Sequence, residues 1–191
     1  MVELIRNSHA LDPEQIFGRN APLHVDLGCG DGSFLCALAE RSPGTNFLGI
    51  DRMTRRVAKS CRRANAQPNV RALQVETTYA VRYLFREGSV ETFYLLFPDP
   101  WPKRRHHRRR VFTADFLEAV HHALVPGGIL HVATDQIDYF RQITRTSSVD
   151  SRFAIDKSAD VDLPKTKFER RFEAAGTPIY RLVLRKISPV M

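Results

Sequence analysis

The sequence of 191 residues contains few cysteines and no long apolar run. A membrane-spanning helix needs about 18 consecutive apolar residues, and no segment approaches that length. The three cysteines lack C-x-x-C spacing, which argues against both a disulfide framework and a structural zinc site. The N-terminal segment also lacks the apolar stretch of a signal peptide. We therefore expect a cytoplasmic protein without a bound metal or a membrane anchor.

Acidic residues are fewer than basic ones. There are 21 Asp and Glu against 29 Lys and Arg, which gives a net charge of +8 at pH 7, and most of the cations are arginine. Arginine contacts phosphate through planar, bidentate hydrogen bonds. Six of the cations lie between Trp101 and Arg110. Such a run is often only a solvated surface, but this one follows an apolar strand and a Pro/Trp turn, which favours a binding site for a polyanion.

Short apolar segments alternate with segments of helical periodicity along most of the chain. This alternation predicts βαβ units, a parallel sheet and helices on both of its faces. A polar loop without a helix separates the last two predicted strands, so we expect them to form an antiparallel pair at one edge. The predicted strands are 23–27, 46–51, 70–75, 90–97, 129–134, 152–155 and 179–186, and the predicted helices are 33–41, 53–66, 77–86, 113–124 and 136–146.

Acidic residues end three successive predicted strands, where ligands bind in such sheets. These residues are Asp26, Asp51 and Glu76, and Asp26 leads into a glycine-rich turn, Gly28-Cys29-Gly30-Asp31-Gly32. Asp51 follows the start of this turn at about the spacing (~20 residues) typical of a carboxylate that accepts hydrogen bonds from ribose hydroxyls. Glu76 is placed to accept a hydrogen bond from an adenine amino group. The pattern indicates a nucleoside-containing cofactor.

Two cofactor classes compete for this turn. Nicotinamide dinucleotides need G-x-G-x-x-G, but Ser33 occupies the third glycine position and Asp26 would repel a pyrophosphate. The amino and sulfonium groups of S-adenosylmethionine are cationic and suit a carboxylate. In the competing structural interpretation, the glycines only form a tight turn and the acids cap helices. Three acids at three strand ends favour S-adenosylmethionine, and the arrangement resembles the cofactor site of Rossmann-like methyltransferases.

A more specific pattern follows the fourth predicted strand. Phe97-Pro98-Asp99-Pro100-Trp101 precedes the basic cluster and resembles the signature of bacterial tRNA (guanine-N7)-methyltransferases. Two further blocks match that family in order, Ala133-Thr134-Asp135 and Thr166-Lys167-Phe168-Glu169, and the resemblance extends from about Phe17 to Lys186. It implies a Rossmann-like methyltransferase fold with a seven-stranded, mostly parallel sheet. It also implies methylation of a variable-loop guanine, position 46 of tRNA, by a monomer or homodimer.

The resemblance assigns roles to individual residues, with Asp99 as the implied catalytic residue. We expect one domain over 1–191, made of a short N-terminal segment (1–20), a cofactor-binding core (21–146) and a C-terminal strand pair with a substrate loop (147–191). The implied cofactor-binding residues are Asp26, Gly28, Cys29, Gly30, Asp51, Arg52, Glu76, Thr77 and Asp99. The implied substrate-binding residues are Lys103, Asp135, Thr166, Lys167, Phe168 and Glu169, and the implied RNA-binding residues are Arg105, His106, His107, Arg108, Arg109 and Arg110.

The sequence departs from the family pattern at the cofactor acids. The family usually has Glu at the positions of Asp26 and Asp51, and Asp-Ala at the position of Glu76-Thr77. Many members also have a longer basic segment before the first strand. Two alternatives therefore stay open: a diverged paralogue that methylates another RNA or a small molecule, and a non-catalytic RNA-binding module.

Several side chains have two interpretations at this stage. Trp101 is either a stacking surface for a base or an aromatic residue at the edge of the core. Asp135 is a contact for guanine, an N-cap for the following helix, or both. Asp99, Asp135 and Glu169 are equal candidates for the carboxylate that accepts hydrogen bonds from the guanine edge.

Overall fold

A single seven-stranded sheet organises the protein, as seen in a computed structural model that describes residues 10–64, 67–156 and 162–187. The strand order is β3-β2-β1-β4-β5-β7-β6, and only β7 runs against its neighbours. The strands are β1 (Leu23–Leu27), β2 (Asn46–Asp51), β3 (Val70–Gln74), β4 (Val90–Leu96), β5 (Leu124–Thr134), β6 (Phe153–Ile155) and β7 (Tyr180–Lys186). The helices are α1 (Pro13–Phe17), α2 (Ser33–Arg41), α3 (Thr54–Ala64), α4 (Thr77–Tyr83), α5 (Ala114–Ala123), α6 (Ile137–Ser148) and α7 (Lys167–Ala174), with a 3-10 helix at Arg104–Arg109.

The predicted sheet is confirmed, including its antiparallel pair at one edge. One prediction is wrong: the segment between the last two strands, expected to be a polar loop, contains α7. A capping box starts this helix, because Thr166 Oγ1 accepts a hydrogen bond from Glu169 N (3.0 Å) and Glu169 Oε2 accepts one from Thr166 N (3.2 Å). The T-x-x-E spacing that builds the box is visible in the sequence.

Several element boundaries differ from the predictions. Helix α5 begins as predicted, with Thr113 Oγ1 accepting from Phe116 N (3.1 Å). It ends at Ala123, and β5 begins at Leu124, so the Pro-Gly-Gly segment lies inside β5. The β4–β5 pairing shifts register between Val90 and Thr92, and this irregularity accommodates that segment. The predicted end of α3 lies at residues 65–66, outside the described residues.

Apolar clusters cover both faces of the sheet. In the larger cluster, Phe93 of β4 is buried together with Phe116 of α5 and Tyr139 of α6. In the smaller cluster, Phe47 of β2 is buried together with Phe34 of α2. Because both faces are covered, ligands can reach the central strands only at their ends. Within the described ranges, no helix is long and apolar enough to span a membrane.

Candidate functional site

The candidate site lies where the strand order reverses, between β1 and β4. Ligands in doubly wound sheets bind in the crevice at this point. Asp26 lies near the carboxyl end of β1, and Asp99 follows β4. The Phe97 amide donates a hydrogen bond to the Ala133 carbonyl (2.7 Å), which holds the loop after β4 against the end of β5. The predicted acids of neighbouring strands are therefore brought to one edge.

Asp26 is a buried carboxylate without a local partner. Its exposed fraction is 4%, and its strand register places it beside Gly49 of β2 and Tyr94 of β4. Among the described residues, no group donates a hydrogen bond to its side chain. Burial, and then the charge of Asp51, raise the pKa of Asp26 to about 7. A carboxylate held in this way is ready to receive a cationic or hydrogen-bond-donating ligand.

The glycine turn packs tightly against β2. The amides of Gly28 and Cys29 both donate to the Ile50 carbonyl (2.7 and 2.9 Å). A Cβ atom added to Gly49 would lie 2.8 Å from Cys29 Sγ, so this close approach requires glycine. Burial raises the pKa of the Cys29 thiol, which suits a packed residue rather than a nucleophile. The turn also needs positive φ at three residues, Gly28, Gly30 and Gly32.

Asp51 ties the glycine turn to the start of α3. Its carboxylate, 3% exposed, accepts hydrogen bonds from Gly30 N (3.2 Å) and Met53 N (2.8 Å). Arg56 Nη1 lies 3.6 Å from the same carboxylate. The predicted cofactor-binding residues of β1 and β2 thus form one connected unit, and Asp51 has a structural role in it beside any contact with ribose.

Glu76 differs from Asp26 because it caps a helix. It is the N-cap of α4, which begins at Thr77, and its Oε2 accepts a hydrogen bond from Tyr79 N (2.8 Å). Its carboxylate is exposed, and Oε1 has no partner within the described ranges. The capping interpretation therefore holds for Glu76 but not for Asp26, and one carboxylate oxygen of Glu76 is left for a ligand.

The loop that carries Asp99 has an unusual backbone conformation. Phe97 and Trp101 have positive φ values of 53° and 43°, which non-glycine residues rarely adopt. Such conformations cost on the order of 1–3 kcal/mol each and concentrate at functional sites. They hold the Asp99 carboxylate at the surface, with 69% of the side chain exposed, where Arg52 Nη2 lies 3.4 Å from it. No sequence pattern predicts this strain.

The basic cluster forms the 3-10 helix beside Trp101. The Arg109 guanidinium lies over the Trp101 ring, 4.8 Å from its centroid, and the His106 ring contacts its edge at 5.8 Å. Trp101 is half-buried, so a base could stack on the face that Arg109 covers only by displacing that side chain. The exposed cations of the cluster are Lys103, Arg104, Arg105, Arg108 and Arg109.

Arg110 faces inward, which corrects its expected place among RNA-contacting residues. It is 4% exposed, and its guanidinium donates hydrogen bonds to the Pro100 carbonyl (2.7 Å) and Gln142 Oε1 (2.8 Å). The same group lies over the Tyr139 ring at 4.7 Å. These contacts anchor the Asp99 loop to α6. His107 is also partly buried, and its Nε2 atom has no partner among the residues described.

Helix α7 covers the glycine turn and the Asp99 loop. Lys167 forms an ion pair with Asp31, and Phe172 packs 5.4 Å from the Phe97 ring. Phe168 is 49% exposed and lies 6.3 Å from the same ring. The block Thr166 to Glu169 thereby reaches the site, mainly through the helix that it starts.

Asp31 is a site residue that the motif analysis did not single out. It accepts hydrogen bonds from Ser33 N (3.2 Å) and Arg63 Nη2 (3.4 Å) as well as from Lys167. Burial opposes its ionisation, but the hydrogen bonds from Lys167 and Ser33 outweigh burial and lower the pKa of Asp31 to about 2. Asp31 thus joins the glycine turn to α3 and α7. Asp31 lies between two glycines at a position that the glycine pattern leaves open to any residue, so a single sequence does not indicate its role.

The structure separates the three carboxylates that compete for guanine. Glu169 is occupied, because one oxygen completes the capping box and the other pairs with Arg181. Asp135 is not the cap of α6, because Gln136 is the N-cap residue. Within the described ranges, the one hydrogen bond to the Asp135 carboxylate comes from the Gln136 side-chain amide. Asp99 and Asp135 therefore remain as acceptors that a base can reach.

Comparison with known proteins agrees with this geometry. Residues 20–182 match a family model described as "Putative methyltransferase". The tRNA (guanine-N(7)-)-methyltransferase of Halorhodospira halophila is 36% identical over 183 residues, which cover 92% of this chain and 79% of that protein. The enzyme of the same name from Rubrobacter xylanophilus is 36% identical over 181 residues, covering 91% and 81%.

Solved structures support the fold. A mutant 16S rRNA (adenine(1408)-N(1))-methyltransferase from Catenulisporales acidiphilia, crystallised with cosubstrate SAM, aligns with a TM-score of 0.62 at 17% identity and covers 95% of this chain and 94% of that chain. The family model and the relatives each span most of the sequence and include the glycine turn, the Asp99 loop and α7. The chain belongs to the tRNA (guanine-N(7)-)-methyltransferase family.

Proposed function

We propose that this protein transfers a methyl group from S-adenosylmethionine to N7 of a guanine in tRNA. The observation that carries the proposal is the buried, unpartnered Asp26 carboxylate beside a glycine turn, at the switch point that also presents Asp99. Family membership supplies the substrate class. We place the modified guanine at position 46, in the variable loop, and the reaction in the cytoplasm.

The residues present fit the proposed cofactor. Asp26 would bind the amino group of the cofactor, and the glycine turn would leave room for its amino acid portion. Asp51 would accept a hydrogen bond from a ribose hydroxyl. The free carboxylate oxygen of Glu76 is placed to accept a hydrogen bond from the adenine amino group. S-adenosylmethionine, when bound, supplies a methyl group on a cationic sulfur. A cation next to Asp26 favours the ionised carboxylate, so binding of the cofactor lowers the pKa that burial has raised.

Asp99 and Asp135 would hold the guanine. Guanine N7 carries an in-plane lone pair and no proton, so no residue has to act as a general base. The chain must instead orient the base and stabilise the positive charge that develops on the purine ring. The two carboxylates can accept hydrogen bonds from guanine N1–H and N2–H₂, which adenine cannot offer in the same pattern. Phosphates would be bound by the exposed cations Lys103, Arg105, Arg108 and Arg109.

The direct test is methyl transfer from isotopically labelled S-adenosylmethionine to an unmodified tRNA transcript, followed by nucleoside analysis. We expect 7-methylguanosine, and we expect it to disappear when guanine 46 is replaced by adenine. Asp99→Asn should abolish transfer, whereas the affinity for S-adenosylmethionine should change only modestly, because Asp26 and Asp51 stay in place. Folded protein that binds the cofactor but forms no 7-methylguanosine would contradict the proposal.

A further inference from the structure

Helix α3 presents an unusually basic surface for which the proposed chemistry has no use. Its sequence, TRRVAKSCRRA, contains five cations and no acid. These cations and the preceding Arg52 form two rows along the helix, because residues four and seven positions apart share a face. We call Arg52, Arg56 and Arg63 the inner row, and Arg55, Lys59 and Arg62 the outer row.

The inner row is fully paired with acids of the site. Arg52 lies 3.4 Å from Asp99, Arg56 lies 3.6 Å from Asp51, and Arg63 lies 3.4 Å from Asp31. Each of these acids stands at or near the end of a different central strand. The inner row therefore marks the border between the candidate active site and the outer surface of α3.

The outer row has no such partners. All three of its side chains are exposed, and no carboxylate of the described ranges lies within ion-pair distance of them. Like charges at this spacing repel one another and destabilise a helix. Arg55 also lies in the first turn, where the positive end of the helix dipole disfavours a cation. Because no acid among the residues described compensates this repulsion, an external anion is the natural partner.

A groove next to the inner row makes the surface concave. The groove has a volume of about 560 Å³ and is lined by Arg63 of α3 and Arg170 of α7. Glu40 is the one carboxylate among its lining residues, and it accepts a hydrogen bond from Gln67 (3.2 Å). The Gln67 Oε1 atom in the wall is buried and has no donor in the described part of the chain.

We propose that the outer row of α3 binds the phosphodiester backbone of the tRNA, as a second contact surface separate from the 3-10 helix. This inference rests on the proposed function. RNA is favoured over other anions because the surface is continuous with Asp99 through Arg52, so one RNA molecule that places a guanine at Asp99 also passes over α3. Arginine-rich helix faces of this kind supply non-specific phosphate contacts.

The test replaces the outer row by neutral residues, Arg55→Gln, Lys59→Gln and Arg62→Gln together. A matched control removes three exposed cations from the opposite side of the sheet, Arg82→Gln, Arg86→Gln and Arg145→Gln, and has the same net charge. Binding of a labelled, unmodified tRNA transcript is measured over a range of KCl concentrations. Affinity for S-adenosylmethionine verifies that each variant retains its fold and its cofactor site.

We expect the outer-row variant to lose tRNA affinity on the order of 100-fold or more at about 0.1 M salt, because each lost phosphate contact removes about 0.7 to 0.9 from the slope of log K against log salt. Its slope should be shallower by about 2 to 3, whereas the control should stay close to wild type. Equal effects in both variants, or no effect in the outer-row variant, would overturn the inference. Wild-type protein that binds tRNA through α3 but forms no 7-methylguanosine would overturn the proposed function instead.

Discussion

The raised pKa of Asp26 predicts that its neutralisation stabilises the protein. The ordinary pKa of the side chain is 3.8, and burial together with the charge of Asp51 raises it to about 7 in the folded state. A difference of this size corresponds to about 4 kcal/mol that the ionised carboxylate takes from the free energy of unfolding. Asp26→Asn removes this penalty and leaves the shape of the side chain almost unchanged.

The sign of the effect depends on pH. Below pH 3.8 the Asp26 side chain is protonated in both the folded and the unfolded protein, so it does not reduce the free energy of unfolding. Between pH 3.8 and about 7 the unfolded chain ionises while the folded protein does not, so wild-type stability falls as pH rises. Above about pH 7 the full penalty persists. The advantage of Asp26→Asn should therefore grow with pH through this window and then level off.

Urea unfolding of both proteins between about pH 5 and pH 8, without cofactor, measures the advantage. Asp31→Asn is the matched control, because the pKa of Asp31 is lowered to about 2 by hydrogen bonds from Lys167 and Ser33 that outweigh burial. Its ionised form stabilises the folded protein above pH 3.8, so this variant should be less stable at neutral pH. If Asp26→Asn is no more stable than wild type at pH 8, the argument that Asp26 is an uncompensated buried charge is wrong.

Cofactor affinity should change in the opposite direction to stability. A hydrogen bond to a charged group contributes about 1.5–3 kcal/mol, so Asp26→Asn should weaken S-adenosylmethionine binding about 10- to 100-fold. Wild-type affinity should rise as pH increases from about 6 to 7, because a larger fraction of Asp26 is ionised. Calorimetric titrations of the variant over the same range should show no such rise, and a parallel rise in both proteins would assign it to another group.

Three further predictions concern the packing around the site. Gly49→Ala forces Cβ against Cys29 Sγ, so we expect a loss of about 1–3 kcal/mol in unfolding free energy and weaker cofactor binding, whereas Gly44→Ala, in open space, should leave both at wild-type values. Arg110→Met should lower the free energy of unfolding, measured in urea, by about 1–3 kcal/mol, because it leaves the Pro100 carbonyl without its hydrogen bond. The control Arg108→Met should lower it by at most about 0.5 kcal/mol while weakening tRNA binding. Glu169→Gln keeps a capping box but loses the ion pair with Arg181, so methyl transfer should largely survive; complete loss at unchanged stability would make Glu169 a guanine contact.

Local sequence patterns predicted most of the sheet, because each strand and each connecting helix is encoded by a short run of neighbouring residues. Alternation of apolar strands and helices predicts βαβ connectivity, and right-handed crossovers then give a parallel sheet with helices on both faces. The acids at three strand ends could be placed together for the same reason. Glu76 shows the limit of this reasoning, because a carboxylate that follows a strand also precedes a helix and can cap it.

Long-range packing explains what the sequence did not predict. Arg110 ends a run of surface cations, but hydrogen bonds to Pro100 and to Gln142, the latter 32 positions away, draw it into the interior. There it also lies over the Tyr139 ring. Helix α7 has no fully buried residue, and its apolar face consists of Phe168 and Phe172, four positions apart in an otherwise polar segment. Two aromatic residues in a short segment are a weaker signal than the apolar stripe of a core helix. The capping box of α7 was the available signal. The positive φ values of Phe97 and Trp101 depend on the packed loop around them and leave no local trace.

The arrangement of charge resolves a conflict between the two proposed ligands. A cationic cofactor requires carboxylates in the pocket, and the same carboxylates would repel the phosphates of an approaching RNA. The inner row of α3 lies between the two regions and pairs with Asp31, Asp51 and Asp99. Asp26 has no ion pair with these arginines, and burial rather than pairing hides its charge from solvent. The pocket thus keeps a buried carboxylate for the cationic part of the cofactor, and the surface that faces RNA keeps its net positive charge.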